Sequence, residues 1–585
     1  MSGVTYREIE NKIIIYTKGR LCETQDELLQ SELFARMLNR FIDDLSAQQS
    51  RLLDIFRGEP TVEMREILHI TLKNLARMDG SYIPKIVPES GEFFRNPLLL
   101  NEFVEHLYNF WRGFERYVIC DSEGDTLDKR PYRTFNQTVE KLDDLIMGAY
   151  RDIQENITGT HPRIYRQLPA GAAISAIGIP KDILYPSKSF EQLRDIIIIR
   201  QILLNPPVIL DPKSNKRSGT FRKIEENPLD LVKLESPEWI CYPAKVGELL
   251  INIYTHETFF DLAFSLCNLF ELADDEDLKR KPDAVYLFGI PGNELDRFDE
   301  IPAVFYDDEE NGIMVAACPN RDIFGYFGFL KKMVLTLHNA IMIKSGRLPF
   351  HGALTRIMLK NGRESTILLI GDSGAGKSET LEAFRNMGRK HLRDMIIIAD
   401  DMGSLELDEN GDIFAYGTEI GAFLRIDDLK PGYAFGQIDR SIMMSPTKVN
   451  ARIILPVAPY ETIIEGHKID MILYANNYEQ VDEEHPVIER FTSVEYAFNL
   501  FREGTVMSKG TTTSTGIVHS YFANIFGPPQ YKELHDPLAM KFFSAFFQKG
   551  LFVGQMRTRL GISGYEMKGP EEAAENLLKI VAGEE

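Results

Sequence analysis

The sequence predicts an α/β fold, and three observations support this prediction. Residues 365–384, STILLIGDSGAGKSETLEAF, combine a buried-strand pattern, a glycine-rich turn and the start of a helix. From residue 284 onward, short apolar runs typical of strands alternate with helical runs. Residues 25–157 instead carry mainly the 3.6-residue periodicity of amphipathic helices. At 585 residues the chain exceeds the size of a single hydrophobic core, so we expect several domains.

The expected domains differ in composition. A helical extension over 1–158 contains no catalytic motif and is a candidate for oligomerisation or for binding a protein partner. A segment rich in Gly, Pro and Ala marks the boundary to a mixed α/β domain over 159–340. The glycine-rich turn belongs to the third domain, over 341–585.

Charge and cysteine usage narrow the class of protein. The 66 basic and 87 acidic residues give a net charge of −21, which argues against nucleic acid or an anionic membrane as the main partner. No apolar run approaches the roughly 18 residues that a membrane span requires, so we expect a cytoplasmic protein. The 5 cysteines are scattered without a C-x-x-C pair, and they predict neither a disulfide framework nor a zinc site.

A local cluster of positive charge lies at residues 213–223, KSNKRSGTFRK. In isolation such a stretch is usually a solvated loop. The alternative is an arm that closes over a small anionic substrate, and in that case Arg217 and Arg222 are the candidate contacts.

The glycine-rich turn fits the phosphate-loop pattern G-x-x-x-x-G-K-[ST]. Glycines let backbone N–H groups face an anion, and the helix that follows adds its dipole. The lysine of the motif would reach the β- and γ-phosphates of a nucleotide, and the hydroxyl after it would meet Mg²⁺. The expected phosphate-binding residues are Gly371, Asp372, Ser373, Gly374, Ala375, Gly376, Lys377, Ser378 and Glu379.

A second strand is predicted at 395–399, and it ends in Asp400-Asp401. Two aspartates at a strand end are usually a turn signal. Some two dozen residues after a phosphate loop, however, they indicate a carboxylate that holds the metal bridging nucleotide phosphates. Two more strands are predicted at 452–457 and 469–475.

Several of these motifs, in this order, resemble the phosphoenolpyruvate carboxykinases and the related HPr kinases. The segment 325–335, GYFGFLKKMVL, is similar to a carboxykinase segment, and the resemblance implies that Tyr326 is an active-site residue and Lys332 a metal ligand. His351 lies where both families keep a histidine, a Mn²⁺ ligand in carboxykinases. The resemblance makes Asp401 the third ligand. A neutral lysine, an imidazole and a carboxylate suit Mn²⁺, provided that the pKa of the lysine is strongly lowered.

Two later segments extend the resemblance, which covers about half of the chain. Val449-Asn450-Ala451-Arg452 resembles a motif whose arginine contacts the transferred phosphoryl group, and Lys509 begins a segment similar to the carboxykinase nucleotide loop. Departures also occur. Ser378-Glu379 and Gly371-Asp372-Ser373 match the HPr kinase pattern, and Thr513-Ser514 replace the Glu-Arg of the nucleotide loop.

Three hypotheses follow. The first is a carboxykinase-like enzyme that converts oxaloacetate and a nucleoside triphosphate to phosphoenolpyruvate, CO₂ and the diphosphate, with Mn²⁺ and Mg²⁺ as cofactors. ATP is the favoured phosphate donor, and GTP or pyrophosphate are alternatives. The second is an HPr kinase-type enzyme that phosphorylates a hydroxyl group with Asp400 or Asp401 as the base. The third is a nucleotide-dependent scaffold without catalysis. The lysine at 332 favours the first hypothesis, whereas the phosphate-loop residues favour the second.

Overall fold

The structure, a computed structural model, describes residues 4–122, 129–164, 169–180, 183–217, 219, 221–387, 391–429, 435–509 and 515–584. The chain forms two compact units. The first comprises residues 1–181 and 197–210, and the second comprises 182–196 and 211–585. The division expected from the sequence, after residues 158 and 340, does not coincide with this one.

The first unit combines helices with a sheet. Its strands are β1 (Val4–Ile9), β2 (Lys12–Thr17), β3 (Glu115–Asp121), β4 (Ile174–Pro180), β5 (Ile197–Leu204) and β6 (Val208–Leu210). The first five form a sheet in the order β1–β2–β3–β4–β5, in which β2, β3 and β4 run parallel. Its helices are α1 (Gln25–Leu29), α2 (Glu32–Ala47), α3 (Val62–Leu75), α4 (Ile83–Ile86), α5 (Pro97–Arg112) and α6 (Lys129–Thr158).

The helical extension expected over 1–158 also contains three strands, β1 to β3. Strand β2 contains the run Ile13-Ile14-Ile15, of which every member is buried. A short continuous apolar run lacks the alternation that distinguishes a strand from a buried helical segment. The longer amphipathic segments of the same region are helical, as predicted.

The second unit begins with a run of short strands. Its strands are β7 (Phe221–Ile224), β8 (Trp239–Val246), β9 (Leu249–His256), β10 (Glu271–Leu272), β11 (Ala284–Ile290), β12 (Ala303–Asp308) and β13 (Ile313–Pro319). They are arranged in the order β8–β9–β11–β13–β12–β7, and β10 also pairs with β8. Two helices accompany them, α7 (Phe260–Ser265) and α8 (Phe327–Lys344). The strands and the helix predicted between 284 and 343 are confirmed by β11, β12, β13 and α8.

The remainder of the second unit is built on another sheet. The strands of this part are β14 (Leu348–Leu359), β15 (Glu364–Ile370), β16 (Leu392–Ala399), β17 (Met402–Leu407), β18 (Ile413–Gly417), β19 (Gly421–Arg425), β20 (Ile442–Met444), β21 (Arg452–Pro456), β22 (His467–Lys468), β23 (Met471–Asn476), β24 (Ile488–Arg490), β25 (Thr505–Lys509), β26 (Thr515–His519) and β27 (Phe552–Arg557). The main sheet has the order β22–β18–β17–β14–β15–β23–β27–β24, with β16 also paired to β14. Strands β19, β21 and β20 form a small antiparallel group, and β25 and β26 form a hairpin.

Five helices belong to this part, namely α9 (Lys377–Met387), α10 (Tyr460–Ile464), α11 (Val494–Glu503), α12 (Lys532–Gln548) and α13 (Lys568–Ala582). Helix α9 follows the predicted phosphate loop directly, and α9 and α13 contribute to one apolar core cluster with β15 and β23. Within the described part of the chain, no helix combines the length and the apolar character needed to cross a lipid bilayer.

The register of the main sheet brings three separate segments together. Strand β14 runs antiparallel to β15, so that Gly352 pairs with Ile370 at the end of β15. The N–H of Gly371 donates to the carbonyl of His351 over 3.2 Å. On the other side of β14, the Gly352 N–H donates to the carbonyl of Asp401 over 2.9 Å. Backbone pairing alone therefore places the histidine, the start of the phosphate loop and the turn after β16 side by side.

Gly352→Ala tests this register. A Cβ at position 352 would lie 2.4 Å from the Leu369 carbonyl oxygen, which belongs to a paired backbone and has little room to move. We expect the substitution to destabilise the second unit by about 1–3 kcal/mol or more, seen as a lower melting temperature in calorimetry. Gly436→Ala is the matched control, because its Cβ meets nothing within 4 Å. Equal melting temperatures for the two variants would contradict the close packing of β14 on β15.

Candidate active site

The loop between β15 and α9 has the geometry of an anion-binding turn. Gly374 and Gly376 adopt φ angles of 79° and 96°. Residues with a Cβ atom disfavour this backbone conformation. Neighbouring segments fix the loop, because Asn477 Nδ2 donates to the Gly374 carbonyl over 2.9 Å and Thr558 Oγ1 donates to the Ala375 carbonyl over 2.7 Å. The loop therefore presents a supported backbone at the amino end of a helix.

Lys377 is buried at the base of this loop. Its Nζ donates to the carbonyl of Gly371 and, over 3.1 Å, to that of Asp372. Burial lowers the pKa of the Lys377 ammonium, although Asp401 and Asp372 partly oppose this effect. Ser378 stands at the exposed amino end of α9. The lysine is thus folded back on its own loop, at the position from which it would reach bound phosphate.

A cluster of ionisable side chains lies beside the loop, centred on Asp401. Lys332 Nζ is 2.6 Å from Asp401 Oδ2, and His351 Nε2 is 2.9 Å from Asp401 Oδ1. These three residues come from α8, β14 and the turn after β16, and the structure brings them together as the sequence predicts. Burial raises the pKa of the Asp401 carboxyl, but the charges of Lys331 and Lys332 outweigh this and hold the pKa well below its usual range.

The ring of His351 is fixed by its backbone partner. His351 Nδ1 lies 2.5 Å from the carbonyl oxygen of Ala523, and because a carbonyl only accepts, Nδ1 must carry the proton. Burial lowers the pKa of His351, although the hydrogen bond to Asp401 opposes this effect. His351 Nε2 lies 2.9 Å from a carboxylate oxygen of Asp401. Two acceptors at this separation repel each other unless a proton or a cation lies between them.

Two neighbouring lysines have opposite electrostatic environments. Lys331 is buried between two carboxylates, 2.8 Å from Asp401 Oδ2 and 2.7 Å from Glu419 Oε1. Burial alone lowers the pKa of Lys331, but Asp401 and Glu419 outweigh it and raise the pKa above its usual value. The pKa of Lys332 is lowered, mainly by burial and also by the charge of Lys331, in spite of the nearby Asp401. Lys331 thus remains an ammonium ion, whereas Lys332 is the lysine that loses its proton more readily.

Glu419 is a site residue that the sequence analysis missed. Its carboxylate accepts from the Thr418 hydroxyl over 3.1 Å and from the Met402 N–H over 3.3 Å, besides binding Lys331. It lies between β18 and β19, in a segment without a recognisable motif, and a single glutamate there gives no signal in the sequence.

Asp400, next to Asp401, differs from it in environment. Burial raises the pKa of the Asp400 carboxyl, and the charge of Asp401 adds to the rise, while Lys331 and Lys377 oppose it. The two adjacent aspartates therefore have pKa values displaced in opposite directions. Such a separation is typical of carboxyl groups with different roles in one site.

The two candidate substrate arginines, Arg217 and Arg222, have different surroundings in the structure. Arg217 interacts electrostatically with Tyr326, Asp372 and Asp401, and its guanidinium carbon lies 4.6 Å from the ring centre of Phe526. The same ring lies 4.9 Å from Lys332 Nζ. Arg222 instead donates to the carbonyl of Phe298. Arg217 therefore belongs to the cluster, Arg222 has a partner elsewhere, and Phe526 is a second residue that the sequence analysis missed.

Tyr326 and Arg452 lie on a shared aromatic surface. The guanidinium of Arg452 is 5.3 Å from the ring centre of Phe423, and the ring of Tyr326 is 5.9 Å from the same ring. Tyr326 occupies the N-cap position of α8. Lys509 ends β25, but its side chain and residues 510–514 lie outside the described residues.

The donor set fits a divalent transition metal such as Mn²⁺. It contains a lysine with lowered pKa, a histidine whose free nitrogen is set by a second partner, and an ionised carboxylate. Among the residues that the structure describes, no three His, Cys, Asp or Glu side chains form a metal-binding cluster by themselves. A metal ion at Asp401 and His351 would therefore need Lys332 as its third ligand.

The chain was compared with known proteins. No protein-family model matches the chain, and no curated protein matches it.

Two substitutions of Lys332 separate a metal ligand from a simple positive charge. Lys332→Met removes the nitrogen, and Lys332→Arg keeps a charge that cannot be deprotonated. If Lys332 is a ligand, both variants should bind Mn²⁺ about 100-fold more weakly or worse in electron paramagnetic resonance titrations. Wild-type affinity should rise with pH, because coordination requires the Lys332 proton to leave. Lys344→Arg, at the far end of α8, is the control. Retained binding in Lys332→Arg would exclude the lysine as a ligand.

Gly328→Ala tests the placement of Tyr326. A Cβ at position 328 would lie 2.5–2.8 Å from the ring and hydroxyl atoms of Tyr326, so the tyrosine ring must move to admit it. Because the Tyr326 ring can move, we expect the substitution to cost little stability. Binding of an anionic substrate should be weaker if that binding depends on Tyr326. A Tyr326→Ala variant should show the same loss. Unchanged substrate affinity in Gly328→Ala would argue against a role for the tyrosine.

Proposed function

We propose that this chain is a phosphoenolpyruvate carboxykinase-like enzyme, which interconverts oxaloacetate and phosphoenolpyruvate with a nucleotide as phosphoryl donor. One observation carries the proposal. Lys332 Nζ and His351 Nε2 lie 2.6 and 2.9 Å from the two carboxylate oxygens of Asp401 beside the glycine-rich loop, although the three residues lie on three separate elements. A protein that only binds nucleotide has no need of a half-buried lysine of lowered pKa at this place.

The phosphate side of the reaction is assigned to the loop and its neighbours. Backbone N–H groups of the loop and the ammonium of Lys377 would hold the β- and γ-phosphates. The hydroxyl of Ser378 and the carboxyl of Asp400 would face the nucleotide's Mg²⁺. Arg452, held against Phe423, would contact the phosphoryl group as it moves. These contacts position the phosphorus and neutralise its charge, which is most of what phosphoryl transfer requires.

The carboxylate side is assigned to Arg217 and Tyr326. In the forward reaction the C–C bond to one carboxylate breaks, CO₂ leaves, and the oxygen of the remaining three-carbon fragment takes the γ-phosphoryl group. Arg217 would pair with a substrate carboxylate, and the Phe526 ring keeps its guanidinium in place. Tyr326 would present its hydroxyl from the start of α8.

Bound Mn²⁺ would supply a Lewis acid that stabilises the negative charge developing on the substrate oxygen. Lys332, His351 and Asp401 are the residues that would hold it. Lys331 places a positive charge next to Asp401, and the Lys331 ammonium also forms an ion pair with Glu419. This arrangement keeps the Asp401 carboxylate ionised and favours deprotonation of Lys332.

A second candidate is a kinase that phosphorylates a hydroxyl group, as the HPr kinases do. Its supporting observation is Asp400, a buried carboxyl whose raised pKa suits a general base. The loop residues Gly371-Asp372-Ser373 and Ser378-Glu379 favour the same class. The kinase, however, leaves the lowered pKa of Lys332 without a role.

The two candidates are separated by one assay. The protein is incubated with phosphoenolpyruvate, bicarbonate, Mn²⁺ and one phosphoryl acceptor, namely ADP, GDP or inorganic phosphate. Malate dehydrogenase with NADH traps any oxaloacetate. We expect NADH oxidation that requires phosphoenolpyruvate and one of the acceptors, and that is lost in Lys332→Met. Absence of oxaloacetate with all acceptors would contradict the proposal.

Arg217→Ala and Arg222→Ala form a matched pair in the same basic segment. We expect Arg217→Ala to raise KM for the organic substrate about tenfold or more, because a charge-assisted hydrogen bond is lost. Arg222→Ala should leave KM close to the wild-type value, since Arg222 bonds to the Phe298 carbonyl. Steady-state kinetics of both variants measure this difference in KM. Equal effects of the two substitutions would remove Arg217 from the substrate site.

A further inference from the structure

The acidic residue inside the phosphate loop has no role in the proposed function. Asp372 lies between Gly371 and Ser373, and a negative charge there opposes the binding of polyphosphate. Its carboxylate has definite partners. Oδ1 accepts from the Ser373 N–H over 2.7 Å and from Asn524 Nδ2 over 3.4 Å, and Oδ2 accepts from the Ser520 hydroxyl over 3.3 Å. Asp372 thus joins the loop to a second segment, residues 520–526.

The segment 520–526 contacts the other half of the site. The carbonyl of Ala523 accepts the Nδ1 proton of His351 over 2.5 Å. The ring of Phe526 lies 4.9 Å from Lys332 Nζ and 4.6 Å from the guanidinium of Arg217. This short segment therefore contacts the candidate metal ligands His351 and Lys332 and the candidate substrate residue Arg217. Its side chains also bind the phosphate loop.

The backbone of this segment is strained. Phe522, Ala523 and Asn524 have φ angles of 45°, 59° and 62°, and none of them is glycine. Left-handed conformations cost free energy for residues with a Cβ, and a run of three persists only where the surroundings hold it. The Ala523 carbonyl can point at His351 only while this turn is maintained. The side-chain contacts of Asp372 are at both ends of the turn, on Ser520 and Asn524.

We propose that Asp372 is a positioning residue that clamps the left-handed turn of segment 520–526, and thereby sets the orientation of His351 from the phosphate loop. The inference rests on the proposed metal site. Because polyphosphate would bind the loop that carries Asp372, its arrival would order Asp372 and stiffen the clamp. Binding at the phosphate loop and order at the metal and substrate residues are then coupled.

Amide hydrogen exchange tests the clamp without metal or turnover. Inorganic pyrophosphate added to the wild-type protein should slow exchange both in the phosphate loop and in peptides from 515–526. In Asp372→Ala, the slowing should remain in the loop and disappear from 515–526. Asn524→Gly should behave in the same way, because glycine tolerates the left-handed backbone while removing the amide. Equal protection of 515–526 in wild type and Asp372→Ala would overturn the proposal.

The affinity for Mn²⁺ is the second measurement, and it separates the effect of the shape of the Asp372 side chain from the effect of its charge. Asp372→Ala should weaken Mn²⁺ binding about tenfold, as expected when the partner that orients a ligating histidine is disturbed. Asp372→Asn keeps the shape and one acceptor oxygen, and it should restore most of the affinity. If Asp372→Asn binds Mn²⁺ as weakly as Asp372→Ala, the effect is one of charge and the clamp is wrong. Absence of Mn²⁺ binding in the wild type would overturn the proposed function, whereas the exchange experiment would still decide the role of Asp372.

Discussion

The pairing of the half-buried carboxylate of Asp401 is the interaction on which the site depends. Lys331 and Lys332 lie within 2.8 and 2.6 Å of one of its oxygens, and His351 lies 2.9 Å from the other. A carboxylate removed from water is costly unless it is paired, and losing one partner of such a group destabilises a protein strongly. The partners of Asp401 come from α8 and β14. The same charge that the fold must neutralise therefore holds the candidate metal ligands at one point.

The difference between two adjacent lysines follows from this arrangement. Lys331 faces two carboxylates, Asp401 and Glu419, and stays protonated. Lys332 is paired with Asp401 but lies close to the charge of Lys331, and burial prevails and lowers its pKa. Residues that are neighbours in the sequence thus differ in their electrostatics, one being a fixed counter-charge and the other the candidate nitrogen ligand. Glu419 makes the difference, since without it the buried ammonium of Lys331 would have a single partner.

Much of this site could be predicted from the sequence, because its residues lie in short motifs with a physical meaning. The glycine-rich turn, the strand before it and the helix after it occur as expected, and Lys332, His351 and Asp401 lie together. Glu419 and Phe526 could not be predicted, since each acts through contacts between distant segments and neither belongs to a pattern with a period or fixed spacing. The choice between Arg217 and Arg222 likewise depends on where the basic segment packs. The strands β1 to β3 were missed because short apolar runs do not reveal their periodicity.

The proposed metal site consists of Lys332, His351 and Asp401 beside the phosphate loop. It can be tested by a crystal structure of the protein with Mn²⁺, Mg²⁺ and pyrophosphate, with data collected at the manganese absorption edge. We expect an anomalous peak within bonding distance of Lys332 Nζ, His351 Nε2 and an Asp401 oxygen. A manganese peak only at Ser378 and Asp400, with Lys332 still bonded to Asp401, would contradict it.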